Sequence, residues 1–168
     1  MLRTGLAIAL CVFLPACGEL GGGEGGESEG AAPGADPQTG AWLYQEGASI
    51  SDTCMIPGWD VDGTTEFGLT NNGDGSFTVL REGQDIECTV AGDNFSCLPV
   101  ALDPIMQDGL DATFNLEVTY VGTFSSNTAL EGERTIDVTC TGSSCDAAAA
   151  AIMSSYPCAV VDSFSASV

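Results

Sequence analysis

Apolar and polar residues alternate along most of the chain from Thr65 onward. In each short segment the apolar side chains fall on every second residue, with small polar or acidic residues between them. The apolar positions of the first half are Phe67, Leu69, Phe77, Val79, Ile86, Cys88, Val90, Phe95 and Cys97. Because successive strand residues point to opposite faces of a sheet, this pattern predicts antiparallel strands that are buried on one face.

Three glycine-containing turns join the strands of the first half, at residues 72–74, 82–83 and 92–93. Pairing must place apolar side chains opposite one another, which sets the register of each hairpin. The predicted opposite pairs are Leu69 with Phe77, Phe67 with Val79, Val79 with Ile86, Phe77 with Cys88, Val90 with Phe95, and Cys88 with Cys97. The last pair falls at a narrow, non-hydrogen-bonded position, so we predict a disulfide between Cys88 and Cys97.

The pattern is interrupted at residues 98–109, where Pro99 and Pro104 predict a long crossover or rim loop. Alternation then resumes, and loops at 121–123 and 132–134 predict two further hairpins. The pairs that these loops predict are Tyr120 with Phe124, Phe114 with Leu130, and Leu130 with Ile136.

The C-terminal part changes character after Cys140. The alanine-rich residues 147–155 predict a helix, which Ser143 or Ser144 caps and Pro157 ends. A last short strand is predicted at 159–165. The sequence therefore predicts an all-β fold for residues 41–168: an antiparallel meander that forms a small barrel or half-open barrel, with one short C-terminal helix.

The N-terminal residues 1–16 have the composition of an export signal: Arg3, then an apolar run that is too short to span a bilayer. The run ends at Leu14-Pro15-Ala16-Cys17, which resembles a bacterial lipobox. The resemblance implies cleavage before Cys17, lipidation of Cys17 and, with Gly18 following, anchoring in the outer membrane of a two-membrane bacterium, facing the periplasm or the cell surface. The alternative is an ordinary secretory signal with a chance cysteine.

Residues 17–40 are rich in glycine and glutamate and carry almost no side chain able to pack. Such a composition cannot offset the entropy of ordering, so we predict a disordered tether between the lipid and the folded domain.

Six cysteines follow the predicted anchor: Cys54, Cys88, Cys97, Cys140, Cys145 and Cys158. An even number in an exported chain predicts a disulfide framework. Cys145 and Cys158 flank the helix and are predicted to tie it down, to each other or to Cys140 and Cys54. A cysteine-only zinc site would need closely spaced C-x₂-C pairs, which the chain lacks.

The formal net charge is −21, with 24 acidic residues, three arginines and neither lysine nor histidine. This charge argues against nucleic acid or an anionic membrane face as a partner, because both require a basic surface. The absence of histidine and lysine excludes Ser-His-Asp and Cys-His catalysis and Schiff-base chemistry. A carboxylate-dependent hydrolase remains, but no spacing singles out a catalytic pair, so we do not expect an enzyme.

Two groups of residues are candidates for binding sites, beside simpler structural roles. Asp60, Asp62, Glu66 and Asp74 supply clustered oxygen ligands that would suit calcium, although Asp, Asn and Gly are also common turn formers. Trp42, Tyr44 and Trp59 would suit a pocket for an apolar ligand or a carbohydrate, although such aromatic side chains more often fill a core. No other cofactor is expected.

The order of elements, with Gly40 and Trp42 on the opening strand and a helix near the C-terminus, is similar to that of lipocalin-like barrels. The resemblance implies a ligand inside the barrel by analogy only. Since an eight-stranded barrel can simply be filled by side chains, we expect a filled or partly filled core. We therefore expect a lipid-anchored binding or interaction module with an apolar small molecule or an envelope protein as its partner. The alternative is a structural or surface-coat lipoprotein without a small ligand.

Overall fold

The computed structural model describes residues 34–55, 63–81, 83–151 and 154–168. These residues form antiparallel strands and one helix. The elements are β1 (Gly40–Asp52), β2 (Thr64–Asn71), β3 (Ser76–Arg81), β4 (Gln84–Ala91), β5 (Asn94–Cys97), β6 (Val100–Ala101), β7 (Ile105–Met106), β8 (Thr113–Ser126), β9 (Ala129–Thr141), α1 (Cys145–Ala151) and β10 (Cys158–Ser167). Among the described residues, no helix is both long enough and apolar enough to cross a membrane.

The sheet closes into a barrel. Neighbouring strands follow the order β5-β4-β3-β2-β1-β10-β9-β8, and β8 pairs back with β5. The short strands β5, β6 and β7 pair one after another with β8, so together they form one interrupted strand of an eight-stranded barrel. The predicted all-β, antiparallel barrel with one short C-terminal helix is confirmed.

The segment predicted as a loop at 98–109 contains β6 and β7 and forms part of the barrel wall. Along β8, Thr123 pairs with Asn94, Val118 with Val100 and Phe114 with Ile105. The interrupted strand therefore has one extra residue between β5 and β6 and another between β6 and β7. Pro99 and Pro104 lie in the breaks. Because proline cannot donate a backbone hydrogen bond, it interrupts the ladder and is found at bulges. The prolines therefore divide the strand but do not end it.

The register of the first half is as predicted on one side of β3 and shifted on the other. Val79 faces Ile86, Val90 faces Phe95, and Cys88 faces Cys97, as the turns predict. Leu69, however, faces Val79 instead of Phe77. The β2–β3 connection is longer than predicted because it includes Gly75, whose carbonyl accepts from Val90. A shift of two residues leaves the same face inside, so the core is unchanged.

The two hairpins predicted at 121–123 and 132–134 are wrong, because β8 and β9 form a single long hairpin. Phe124 faces Leu130 and Phe114 faces Cys140, and Gly122 and Gly132 face each other in mid-strand. A Cβ at Gly122 would lie 2.7 Å from the Phe95 ring. These glycines therefore make room for core aromatic rings, where the sequence suggested turns.

The interior contains two packed clusters. At one end, the aromatic cluster includes Trp42, Phe77, Phe95 and Phe124, with ring centroids 5.3–6.5 Å apart. At the other end, a smaller cluster packs Phe114, Leu116, Val138, Val160 and other side chains against Ala148 of α1. The barrel is therefore closed by side chains at one end and by the helix at the other.

Three disulfides join the six cysteines, in agreement with the predicted framework. Cys88 is bonded to Cys97 across β4 and β5, with a Cα–Cα distance of 3.9 Å. Cys140 is bonded to Cys145 and fixes the start of α1 to the end of β9, while Cys54 is bonded to Cys158 and joins β1 to β10. Of the pairings that the sequence left open, these are the ones that form.

The residues before β1 also contact the barrel. Ala35 donates to the carbonyl of Gly92, and the indole of Trp42 donates to the carbonyl of Gln38 at 2.9 Å. Residues just before the predicted domain boundary at 41 therefore already pack on the barrel. Cys17 and the rest of 1–33 lie outside the described residues.

Candidate functional site

A cavity of about 500 Å³ lies inside the barrel between the two clusters. Most of its wall is aliphatic, and a smaller number of polar side chains reach into it. The aliphatic residues are Ile86, Val100, Leu102, Ile105, Leu116, Val118, Ile136 and Val160, and the polar ones are Arg81, Gln84, Asp103, Tyr120, Arg134 and Asp162. This combination is typical of a pocket for a small, mainly apolar molecule.

The mouth of the cavity lies along a seam between β4 and the β6–β7 segment. Backbone pairing of β4 with β5 ends near Leu98, whose amide donates to Glu87. Beyond it, the side chain of Gln84 reaches the carbonyl of Ala101 at 3.4 Å. The exposed lining residues Leu102 and Ile105 lie along this seam. The wall therefore opens where Pro99 ends the continuous ladder.

Three charged side chains form a buried cluster beside the cavity. Arg134 on β9 lies directly opposite Asp162 on β10, and its Nη2 is 2.7 Å from the Asp162 carboxylate. The same guanidinium forms an ion pair with Glu46 on β1. Arg134 and Asp162 are only 6% and 8% exposed. Removing one member of a buried ion pair typically costs about 3–5 kcal/mol, because a charge is left uncompensated.

The pKa shifts in this cluster follow from burial and from the ion pairs. Burial raises the pKa of Glu46, and the positive charge of Arg134 opposes that effect. For Arg134, burial alone would lower the pKa, but the hydrogen bond to Asp162 and the nearby negative charges leave it raised. Arg134 is therefore a permanent cation held between two carboxylates.

Arg81 is the second cation of the cavity and has different surroundings. Its guanidinium carbon lies 4.4 Å from the centre of the Tyr44 ring, and its Nη1 donates to the Tyr120 hydroxyl at 3.0 Å. In the described part of the chain, no carboxylate forms a salt bridge with Arg81. Its charge is held by an aromatic face and a hydroxyl, which are weaker partners than a carboxylate.

The predicted pocket residues take different places. Trp42 is fully buried in the aromatic cluster and stacks on Phe67, away from the cavity. Tyr44 lies nearer, stacked on Phe164, and lines a smaller inner pocket of about 40 Å³ next to the main cavity. Trp59 lies outside the described residues. The cavity thus lies at a different level of the barrel from Trp42, whereas Tyr44 lies at its inner edge.

The predicted calcium ligands are divided in the same way. Asp60 and Asp62 lie outside the described residues, and Glu66 is exposed in the middle of β2. Asp74 lies in the β2–β3 connection, where hydrogen bonds from the side chain and backbone of Ser76 lower its pKa. Within the described ranges, no three acidic, cysteine or histidine side chains come close enough to hold a metal ion.

The sequence pattern did not lead to a prediction of the charged residues of the site, although their positions in the strands are a signal. Glu46, Arg81, Arg134 and Asp162 each stand in the apolar phase of a strand. On β10, for example, Asp162 falls between the inward residues Val160 and Phe164. Charged residues in the inward phase of alternating strands are the pattern to search for, because such a side chain must be paired or bind something.

Comparisons with protein-family models, with curated proteins and with solved structures give no match for this chain.

Proposed function

We propose that this chain is an exported, lipid-anchored envelope protein whose barrel binds a small, mainly apolar molecule. The observation that carries the proposal is the cavity of about 500 Å³, which interrupts an otherwise closely packed barrel. Pockets for small ligands usually measure about 300–1,000 Å³ and combine apolar walls with a few polar groups. A barrel with a purely structural role would be filled throughout by side chains.

The anchoring part of the proposal rests on the sequence Leu14-Pro15-Ala16-Cys17. Three disulfides support export, because such bonds persist in oxidising compartments. The expected mature protein begins at Cys17 and carries diacylglycerol and an N-acyl chain. Intact-mass analysis of the protein from bacterial membranes tests this, with Cys17→Ser as the control. An unmodified N-terminus at another residue would refute the anchor and leave the cavity proposal intact.

Ligand binding is tested with the chain from Gly18 to Val168, exported behind a leader that is not lipidated. This chain contains every residue that the structure describes. The neutral fluorescent probe N-phenyl-1-naphthylamine should bind saturably and be displaced by 1-dodecanol. We expect the double variant Val118→Phe/Val160→Phe, which fills the cavity, to lose at least tenfold in affinity.

The matched control is Thr119→Phe/Val161→Phe, which makes comparable changes at the adjacent, outward positions of β8 and β10. The control should bind like the wild type. Equal binding by both double variants would place the probe on the outer surface and refute the proposed pocket.

A further inference from the structure

We propose that the bound molecule is a single-chain amphiphile with an anionic head, and that Arg81 and Tyr120 hold the head. This inference rests on the proposed binding function and specifies its ligand class. It starts from the placement of positive charge. The chain has 24 acidic residues and three arginines, and both arginines in the described residues, Arg81 and Arg134, line the same cavity.

The two arginines are not equivalent. Arg134 is bound by two carboxylates, which more than offset its single positive charge. Arg81 contacts the Tyr44 ring and the Tyr120 hydroxyl and has no carboxylate partner among the described residues. Its side chain is partly buried, so water compensates its charge less well than at an exposed site. Arg81 is therefore the side chain in the cavity whose charge a bound anion would compensate most.

Tyr120 supplies a second donor at the same place. Its hydroxyl oxygen accepts a hydrogen bond from Arg81, and in the described part of the chain its own proton has no acceptor. A carboxylate or phosphate next to Arg81 would accept from both groups, in a charge-assisted arrangement. Arg81, Tyr120 and Ile86 line both the main cavity and the small inner pocket, so this site lies where the two meet.

The rest of the cavity suits an aliphatic tail. From Tyr120, the inward residues Val118 and Leu116 follow along β8, with Ile136 opposite Val118 on β9. This apolar wall leads to the exposed side chains of Leu102 and Ile105 at the mouth. An extended chain would bury its methylene groups along this wall, at about 0.8 kcal/mol each.

The other charges near the cavity belong to the Arg134 cluster or to the rim. Glu46 and Asp162 are engaged with Arg134, and Asp103 lies exposed at the rim. The acidic residues on the outer wall are in water, where charges are screened over about 8–10 Å at physiological salt. Among the described residues, Arg81 is therefore the cation of the cavity that has no carboxylate in a salt bridge with it.

The test compares four probes of equal chain length, each below its micelle concentration: dodecanoate, dodecyl phosphate, 1-dodecanol and dodecyltrimethylammonium. Each displaces N-phenyl-1-naphthylamine from the Gly18 to Val168 chain. We expect one or both anions to bind at least about tenfold more tightly than 1-dodecanol, the scale of one charge-assisted hydrogen bond. The order of the two anions then identifies the head as a carboxylate or a phosphate.

Variants assign the effect to Arg81. Arg81→Gln should abolish the preference for anions while 1-dodecanol still binds, and Arg81→Lys should retain part of it. Tyr120→Phe should reduce the preference several-fold. Leu80→Gln, which changes the neighbouring exposed residue on β3, should leave all affinities unchanged.

The possible failures are distinguishable. If 1-dodecanol or the cationic probe binds as tightly as both anions, the head-group inference is wrong and the binding function stands. If none of the four probes displaces the dye, the proposed function itself is wrong. An anion preference that survives Arg81→Gln would also refute the assignment to Arg81.

Discussion

Four charged residues occupy inward strand positions where the pattern calls for apolar ones: Glu46, Arg81, Arg134 and Asp162. Three of them form a buried cluster of one cation and two carboxylates, and the fourth lies against two tyrosines. Because an unpaired charge inside a barrel is costly, the arrangement separates a structural cation, Arg134, from one that is available to a ligand, Arg81.

Burial inside the barrel changes the pKa of Tyr44. Burial raises the pKa of Tyr44 to about 12, and its hydroxyl has no hydrogen-bond partner among the described residues. The folded protein holds the Tyr44 proton more tightly than the unfolded chain does. This difference favours the folded state fully below the unfolded-state pKa of about 10, and it is lost as the pH rises through the folded value.

We therefore expect Tyr44→Phe to be more stable than the wild type at pH 8, by up to about 1–3 kcal/mol, because no hydroxyl is buried without a partner. The advantage should widen between pH 10 and 12, because the variant has no proton to lose at this position. Urea unfolding across this pH range measures both effects. Parallel stability curves for the two proteins would contradict the assigned titration of Tyr44.

At the scale of elements, two glycines and two prolines have the opposite meaning to the one that their local sequence suggests. Gly122 and Gly132 lie within the long β8–β9 hairpin, and Pro99 and Pro104 interrupt a wall strand without ending it. Both effects depend on side chains and strands that are distant in sequence, such as the ring of Phe95 and the edge of β8.

The long β8–β9 hairpin leads us to predict how a side chain at Gly122 affects stability. A Cβ there would collide with the carbonyl of Glu131 and lie 2.7 Å from the Phe95 ring. We expect Gly122→Ala to destabilise the protein by about 1–3 kcal/mol, the usual cost of overpacking.

Gly68 provides the control for this substitution. It also lies in mid-strand, but a Cβ there would meet its nearest neighbour at 3.8 Å, an ordinary contact. Gly68→Ala should be neutral or slightly stabilising, because alanine loses less backbone entropy on folding. Chemical denaturation compares the two variants, and equal stabilities would argue for a turn at 121–123 instead of the long hairpin.

At the scale of the whole molecule, the disulfides differ in how much of the chain each one closes. The bond between Cys54 and Cys158 spans 104 residues, whereas that between Cys140 and Cys145 spans five. Longer closed loops remove more conformational entropy from the unfolded chain, which the entropic model puts at about 4–5 kcal/mol for the first and about 2 kcal/mol for the second.

We expect Cys54→Ala/Cys158→Ala to lower the unfolding free energy by more than Cys140→Ala/Cys145→Ala does. Both double variants leave the other two disulfides intact, so each serves as the other's control. Urea denaturation under non-reducing conditions gives the comparison. A larger loss for the Cys140 and Cys145 variant would show that fixing α1 matters more than closing the chain.

The sequence by itself determined the β architecture, the inward face of most strands and the pair Cys88 with Cys97. These follow from a period of two and from short turns, which are local properties of the chain. It missed the long hairpin, because Gly122 and Gly132 are explained by rings that approach from other strands.

Only the tertiary structure decided where the barrel is filled and where it is open. The cavity and its charged groups are assembled from residues of β1, β3, β4 and β6 to β10, so no single segment of the sequence contains the signal. Arg81 and Arg134 look alike in the sequence, and the fold distinguishes them by the carboxylates that it brings to one and not, in the described residues, to the other. Alternation follows from backbone geometry, whereas a binding site depends on which distant side chains meet.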